Sequence, residues 1–228
     1  TGGLPFVGVG WYRTEFDVPQ FQAGKRATIL FDGAMSHANV YINGQKVGYW
    51  PYGYNSFHFD ITKYLKPGEK NTLAVRLENL PESSRWYPGA GLYRNVHLIV
   101  TEDAYIPVWG TYITTPSVNE KFAKVNVLTK VVLPEGADPA KYSVETSVWN
   151  PNKQKLTAVR TSLAQMKYNN DQAEQEFVIQ DPFLWSPEMP ALYSAETRLY
   201  EGDKLKDVYT TPFGIRSIEI IPDKGFFL

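Results

Sequence analysis

Apolar and polar residues alternate along most of this chain with a period of two. One clear example runs from Tyr12 to Val18, and others cover residues 27–31, 57–61, 73–77 and 96–100. No window shows the 3.6-residue period of an amphipathic helix. Because successive side chains of a β-strand point to opposite faces, this pattern predicts an all-β chain.

Turn residues separate the predicted strands. Asn43-Gly44 lies between two strand-like runs and predicts a tight hairpin, because a type I′ turn needs positive φ at both central positions. Residues 60–65 predict a short helical turn, and residues 66–69 contain Pro and Gly and predict another turn.

The spacing of the strands predicts two sandwiches. About eight strands with long connections in residues 1–103 are typical of a jelly roll of two sheets. The period-two alternation is interrupted near residues 101–107, which predicts a domain boundary. About seven short strands in residues 104–216 are typical of an immunoglobulin-like sandwich. Residues 217–228 begin a further hairpin and stop within it, so we expect the chain to be a piece of something longer.

Composition limits the classes of partner. Lys plus Arg total 23 against 24 for Asp plus Glu, and a formal net charge of −1 favours neither nucleic acid nor an anionic membrane. No run approaches the roughly 18 apolar residues of a membrane-spanning helix, so a soluble protein is expected. The chain has no cysteine, which excludes disulfides and cysteine chemistry. It leaves the periplasm and the cytoplasm both open.

A search for catalytic chemistry finds no motif. His37, His58 and His97 are isolated, which argues against a metal site, and no nucleophile elbow, phosphate loop or calcium loop occurs. We therefore expect no catalytic residue, metal or cofactor in this chain. Aromatic residues reach 14%. A β-rich fold accounts for most of them, and stacking on sugar rings is the functional alternative.

One irregular stretch stands apart from the strands. Residues 82–96 combine two arginines, three aromatic residues, a proline and two glycines between two strand-like runs. Large flat side chains beside glycines suit a rigid loop that is presented to something outside its own sheet.

Four motifs together resemble the N-terminal region of glycoside hydrolase family 2. They occupy residues 8–13, 31–44, 51–54 and 84–94, in the order of the family, and the match continues over the rest of the chain. The family includes β-galactosidases, β-glucuronidases and β-mannosidases. The resemblance implies a sugar-binding jelly roll, then an immunoglobulin-like sandwich that ends at residues 213–216, then the first hairpin of a (β/α)₈ barrel.

The resemblance also implies what the whole enzyme does. Family members hydrolyse glycosides with retention, using two glutamates of the barrel. Neither glutamate is expected in this chain, which should be inactive alone. The loop sequence favours a β-galactosidase. A β-glucuronidase and a free-standing carbohydrate-binding or adhesion protein are the alternatives. The implied partners are a β-galactoside and the protein's own C-terminal barrel, and an exposed apolar patch would favour homo-oligomers.

The resemblance places the substrate-binding residues in the irregular loop. Arg85 stands where family members carry an acidic residue, so it either donates hydrogen bonds to sugar hydroxyls or pairs with a barrel carboxylate. Trp86 and Tyr87 either stack on a sugar or fill the interface with the barrel. Arg94 is expected to form a buried salt bridge, and Trp11 is expected in the core or at the interface.

Overall fold

Strands make up most of the structure, a computed structural model that describes residues 7–18, 20, 24–81, 90–165 and 172–228. Among these residues there is no α-helix, and three short 3-10 helices lie between the strands. The prediction of an all-β chain is confirmed.

The first of two compact units covers residues 1–102. Its strands are β1 Gly8–Asp17, β2 Arg26–Phe31, β3 Ala34–Met35, β4 Ala38–Ile42, β5 Gln45–Trp50, β6 Phe57–Asp60, β7 Lys70–Asn79, β8 Gly91–Leu92 and β9 Val96–Thr101. One antiparallel sheet has the order β1-β7-β4-β5 and the other the order β6-β2-β9, while β3 and β8 form a small ribbon. A 3-10 turn at Thr62–Tyr64 lies where the sequence predicts a helical turn.

The first unit buries the side chains that face inward from both sheets. On β7, Leu73, Val75 and Leu77 are buried, whereas the residues between them face outward. The rest of this core consists of Ala27, Ile29, Phe31, Ala34, Ala38, Val40, Ile42, Phe57 and Ile61. Burying each large apolar side chain contributes roughly 1.5–3 kcal/mol, so the alternation itself selects which face of each strand forms the core.

The predicted Asn43-Gly44 hairpin is confirmed, and hydrogen bonds from Asn43 to Tyr64 and Asn71 stabilise it. Asn43 and Gly44 have φ values of 51° and 81°. The Asn43 amide donates to the Oδ1 atom of Asn71 at 2.8 Å and to the main-chain oxygen of Tyr64 at 2.9 Å. Asn71 is fully buried and also accepts a hydrogen bond from the Lys66 main-chain N–H at 2.8 Å. One buried amide therefore ties the hairpin to the turn before β7.

The second compact unit covers residues 103–228. Its strands are β10 Thr111–Val118, β11 Phe122–Lys130, β12 Tyr142–Trp149, β13 Lys155–Ser162, β14 Gln172–Gln180, β15 Tyr193–Glu201, β16 Lys204–Phe213, β17 Glu219–Ile221 and β18 Gly225–Phe227. Sheets of order β10-β11-β14 and β13-β12-β15-β16 form the sandwich, and β17 pairs with β18 in a separate hairpin. The remaining 3-10 turns are Pro139–Lys141 and Leu163–Gln165.

A layer of polar side chains divides the core of the second unit into two apolar clusters. Thr146 and Thr197 are fully buried, and their hydroxyl oxygens lie 3.1 Å apart. Gln175 reaches across from the other sheet, where its amide donates to the main-chain oxygens of Val144 at 3.1 Å and Val159 at 2.8 Å. These bonds join the two sheets directly and fix their relative position.

An ion cluster closes one edge of the second unit. The Lys206 Nζ atom lies 3.0 Å from Asp103 Oδ1 and 3.5 Å from Glu201 Oε2, and the lysine side chain is only 8% exposed. The hydrogen bond from Lys206 lowers the pKa of Asp103 below its usual value, although burial opposes this. The same bond raises the pKa of Lys206.

The substitution Asp103→Asn should reduce stability in a pH-dependent way. The folded pKa of Asp103 is below its ordinary value of 3.8, so its contribution is present above that pH and is lost as the pH falls through the folded pKa. Since the Asp103 side chain is 40% exposed, solvent screens the pair. We expect a loss of about 1 kcal/mol in the unfolding free energy of the second unit at neutral pH. Urea unfolding followed by circular dichroism at neutral and acidic pH measures it.

The matched control is Asp203→Asn, in the exposed turn that joins β15 and β16. This variant should unfold like the parent chain at both pH values. A destabilisation by Asp103→Asn that is equally large in acid would show that the ion pair is not its source.

Candidate functional site

The predicted substrate-binding residues Arg85, Trp86 and Tyr87 lie outside the described residues, in the segment 82–89. Both flanks of that segment are described, since β7 ends at Asn79 and β8 follows the segment. The candidate site is therefore built from residues of the flank that follows the segment and from the residues that pack against that flank. We call this set the loop rim, and it consists of Gly33, Met35, Gly53, Gly91, Tyr93 and Arg94.

The returning chain is held against the core at Gly91. This residue pairs with Met35 in the ribbon of β3 and β8. Its φ of 112° belongs to the region that glycine favours, and a Cβ atom there would overlap the Tyr12 hydroxyl. A cavity of about 30 Å³, large enough for about one water molecule, lies between Gly91 and β1. The backbone at this end of the segment therefore requires glycine.

Tyr93 joins three parts of the first unit. Its hydroxyl donates a hydrogen bond of 2.7 Å to the main-chain oxygen of Gly53. Its ring packs over Gly33 so closely that a Cβ atom there would lie 2.7 Å from the ring carbon Cζ. Gly53 in turn packs against Met35, whose Sδ atom would lie 2.7 Å from a Cβ on Gly53. Two glycines and one phenol thus set the position of the rim.

Arg94 lies on the outside of this arrangement. The prediction of a buried salt bridge is wrong, because Arg94 is exposed and its guanidinium carbon lies 5.1 Å from the centre of the Tyr93 ring. Its Nη1 atom also donates to the main-chain oxygen of Asp32 at 3.4 Å. Arginine stacks readily on aromatic faces, so the neighbouring ring replaces the carboxylate that was expected.

Asp32 makes polar contacts next to the loop rim through both its side chain and its main chain. One of its carboxylate oxygens lies 2.9 Å from Nε2 of His97, and its main-chain oxygen accepts a hydrogen bond from the Ser56 hydroxyl at 3.1 Å. Its main-chain N–H donates to the oxygen of Asn95 at 3.0 Å. Asp32 therefore connects β2, the segment before β6 and the chain that leads into β9.

Two exposed tyrosines flank Gly53. Tyr52 is 55% exposed and Tyr54 is 43% exposed, and their ring centres lie 5.5 Å apart. The structure brings the two rings together on the surface next to Tyr93, whose hydroxyl holds the glycine between them. Aromatic faces of this kind suit the C–H faces of a sugar ring.

The remaining histidines have other surroundings. His37 Nδ1 lies 2.7 Å from the Tyr49 hydroxyl. Burial lowers the pKa of His58, which disfavours its charged form. In the part of the chain that the structure describes, no group of three or more His, Cys, Asp or Glu side chains is placed to hold a metal ion. The same part contains no helix that is long and apolar enough to cross a membrane.

Sequence models of one family match both units. The model described as "Glycosyl hydrolases family 2, sugar binding domain" matches residues 5–102. The model described as "Glycosyl hydrolases family 2" matches residues 105–216.

The chain belongs to glycosyl hydrolases family 2. A β-galactosidase of Bacteroides ovatus is 40% identical over the whole chain, which spans 27% of that protein. A β-glucuronidase of Bacteroides fragilis is 33% identical over 97% of the chain, which spans 33% of that protein. The chain is thus similar to about a quarter to a third of each of these relatives.

Solved family 2 structures share the fold. A family 2 member from Bacteroides cellulosilyticus superimposes with a TM-score of 0.88 at 32% identity, covering 97% of this chain and 30% of that protein. The predicted fold class, a jelly roll followed by an immunoglobulin-like sandwich, is confirmed.

The substitution Gly33→Ala should displace the Tyr93 ring. The new methyl group would overlap the end of the ring, which can move only by breaking the hydrogen bond to Gly53. We expect a loss of roughly 1–2 kcal/mol in the unfolding free energy of the first unit, measured by urea unfolding. The control is Gly10→Ala, because the nearest atom to its Cβ would be 4.0 Å away.

A double-mutant cycle tests the cause. In a Tyr93→Ala background, Gly33→Ala should cost much less than in the parent chain, because the clashing ring is absent. Equal costs in both backgrounds would mean that the ring does not explain the requirement for glycine.

Proposed function

We propose that the chain forms the N-terminal, non-catalytic region of a longer retaining β-galactosidase that hydrolyses terminal β-galactosides. The observation that carries the proposal is the succession of two family 2 domains in a chain that is 40% identical to a β-galactosidase. Retaining glycosidases use two carboxyl groups about 5–5.5 Å apart, one as nucleophile and one as acid/base. In the proposed enzyme, both belong to a barrel that follows this region.

The proposed organisation follows the predicted boundaries. Residues 1–103 form the sugar-binding jelly roll, residues 104–216 form the immunoglobulin-like sandwich, and residues 217–228 begin the (β/α)₈ barrel. The hairpin of β17 and β18 supports the last assignment. Ile220 and Phe226 are paired across it and are 76% and 63% exposed, which suits strands that another part of the protein covers.

The proposed substrate contacts are Arg85, Trp86 and Tyr87, acting only in the whole enzyme. The loop rim supports this proposal, because Gly91 and Tyr93 hold the backbone close to where the described chain resumes after these residues. A fixed flank limits where a short loop can present its side chains. Arg85 would donate a bidentate pair of hydrogen bonds to adjacent hydroxyls, and Trp86 and Tyr87 would offer ring faces.

A β-glucuronidase is the second candidate. The 33% identity to the Bacteroides fragilis β-glucuronidase favours it. The two substrates differ in charge, since a glucuronide carries a carboxylate that needs a cation nearby. Arg85 could meet that need as a charged partner. A free-standing carbohydrate-binding protein of two sandwiches is the alternative outside enzymes.

Assays of the longer protein distinguish these candidates. The protein from the full reading frame should hydrolyse 4-nitrophenyl β-galactoside faster than the β-glucuronide, whereas the 228-residue chain alone should hydrolyse neither. Preference for the glucuronide would select the second candidate. If the full-length protein hydrolyses no β-glycoside, the remaining candidate is the free-standing carbohydrate-binding protein.

The role of Arg85 is tested in the same longer protein. If Arg85 donates to the sugar, Arg85→Ala should weaken binding by about 1.5–3 kcal/mol, seen as a higher KM, and Arg85→Lys should restore only part of it. The control is Arg26→Ala, which removes an exposed arginine of β2 that does not belong to the loop rim. An unchanged KM in Arg85→Ala would remove this residue from the site.

The hairpin of β17 and β18 should make the chain alone self-associate. Light scattering should show dimers or larger species at high concentration, because several large apolar side chains are exposed there. The double variant Ile220→Asp with Phe226→Asp should be monomeric. Lys224→Asp, which changes charge at the turn of the same hairpin, should associate like the parent chain.

A further inference from the structure

The outward face of the sheet β1-β7-β4-β5 carries an exposed tryptophan. Trp11 is 59% exposed, which excludes the core, one of the two expected locations, whereas an interface with another part of the protein stays a prediction. The pairing explains this, because Trp11 lies opposite Arg76 on β7, one of the outward positions between the buried residues of that strand. The Tyr41 ring is 5.6 Å away, centre to centre, and tilted by 39°.

A small residue between the strands lets the two rings meet. Tyr41 on β4 and Arg13 on β1 both pair with Ala74 on the strand between them. The methyl group of Ala74 leaves space above β7, and Trp11 and Tyr41 approach each other diagonally across it. The separation of their centres is about the length of one pyranose unit.

Polar groups in defined positions surround the rings. Arg76, next to Trp11, forms an ion pair with Glu78 on the same face of β7. Asn39 pairs with Arg76 on one side and with Tyr49 on the other. Cross-strand partners on all four strands therefore form one row of side chains across the sheet. The face thus offers flat ring surfaces together with fixed hydrogen-bond donors and acceptors.

The charges on this face nearly balance. Its cations and anions are Arg13, Lys46, Lys70 and Arg76 against Glu15, Asp17 and Glu78. Two of the pairs lie within ion-pair distance, Arg76 with Glu78 and Lys70 with Glu15. A near-neutral surface does not favour a polyanion. An exposed Trp11 ring beside a half-buried Tyr41 ring, among hydrogen-bonding groups, suits an uncharged polyhydroxylated ligand, whose C–H faces stack and whose hydroxyls bond to planar polar side chains.

We infer that the Trp11–Tyr41 face, defined by Trp11, Tyr41, Asn39, Arg76 and Glu78, binds a neutral oligosaccharide. One pyranose ring stacks on Trp11, and the next lies over Tyr41. Arg76 donates to hydroxyls and Glu78 accepts from them. This face uses none of residues 82–89, and its binding requires no hydrolysis. A failure of the β-galactosidase proposal would therefore leave it standing.

The test uses the chain itself and nuclear magnetic resonance. Cellohexaose and β-1,4-linked galactohexaose are titrated separately into ¹⁵N-labelled protein. The indole N–H signal of Trp11 is assigned by its loss in Trp11→Ala. We expect saturable shifts of that signal with at least one hexasaccharide, accompanied by amides of β1, β4 and β7.

Matched variants locate the binding. Trp11→Ala and Tyr41→Ala should each weaken binding about five- to tenfold, since one stacked ring contributes on the order of 1 kcal/mol. Trp11→Phe, which keeps a ring, should lose less. Tyr112→Ala removes a tyrosine that is 67% exposed in the second unit and should bind like the parent chain. If Trp11→Ala does not fold, Trp11→Phe and Tyr41→Ala decide the question.

Three outcomes would overturn the inference. The first is the absence of saturable shifts with either hexasaccharide. The second is a set of shifts that maps elsewhere and survives Trp11→Ala. The third is a Trp11 signal that moves with protein concentration and not with sugar, which would assign the face to a second copy of the chain.

Discussion

A strand in a two-layer sandwich can bury only every second side chain, and the rest of this structure depends on that constraint. On β7, Leu73 and Val75 face the core, whereas Ala74 and Arg76 face outward. Burial of apolar area selects the phase of the strand, because a shift by one residue would expose the whole core face. The same choice fixes what the outward face offers, which here includes Trp11.

The core of the second unit differs from that of the first because it contains a layer of polar side chains. Its sheets meet through a polar layer in which Gln175 donates to main-chain oxygens of the opposite sheet. Two apolar side chains at the same depth would pack acceptably in many relative positions of the two sheets. A hydrogen bond keeps its geometry in only one of those positions. The polar layer therefore adds specificity to the apolar clusters on either side of it, because a shifted sheet would take the acceptors away from the buried Nε2 group of Gln175.

Local signals in the sequence were enough for the strands and for the Asn43-Gly44 hairpin, because period-two alternation and turn chemistry involve neighbouring residues. The contacts that position the site involve distant ones. Gly33 looks like an ordinary turn glycine until Tyr93, 60 positions later, packs over it. Arg94 follows Tyr93 directly in the sequence, but only the fold shows that its guanidinium stacks on that ring and forms no salt bridge with a carboxylate. Tryptophan is usually mostly buried, which favours a core position for Trp11, but the phase of its strand places it on the outward face and leaves the interface as the remaining expectation.

The two candidate ligand surfaces of the first unit follow from the same sandwich. The loop rim lies where β8 returns to the core, and it is rigid because Gly91 and Tyr93 are held from the inner side. The Trp11–Tyr41 face is the outer side of the sheet that supplies half of that core. A rigid β-sandwich can therefore present stacking groups both at its edge and on its face without any change to its interior.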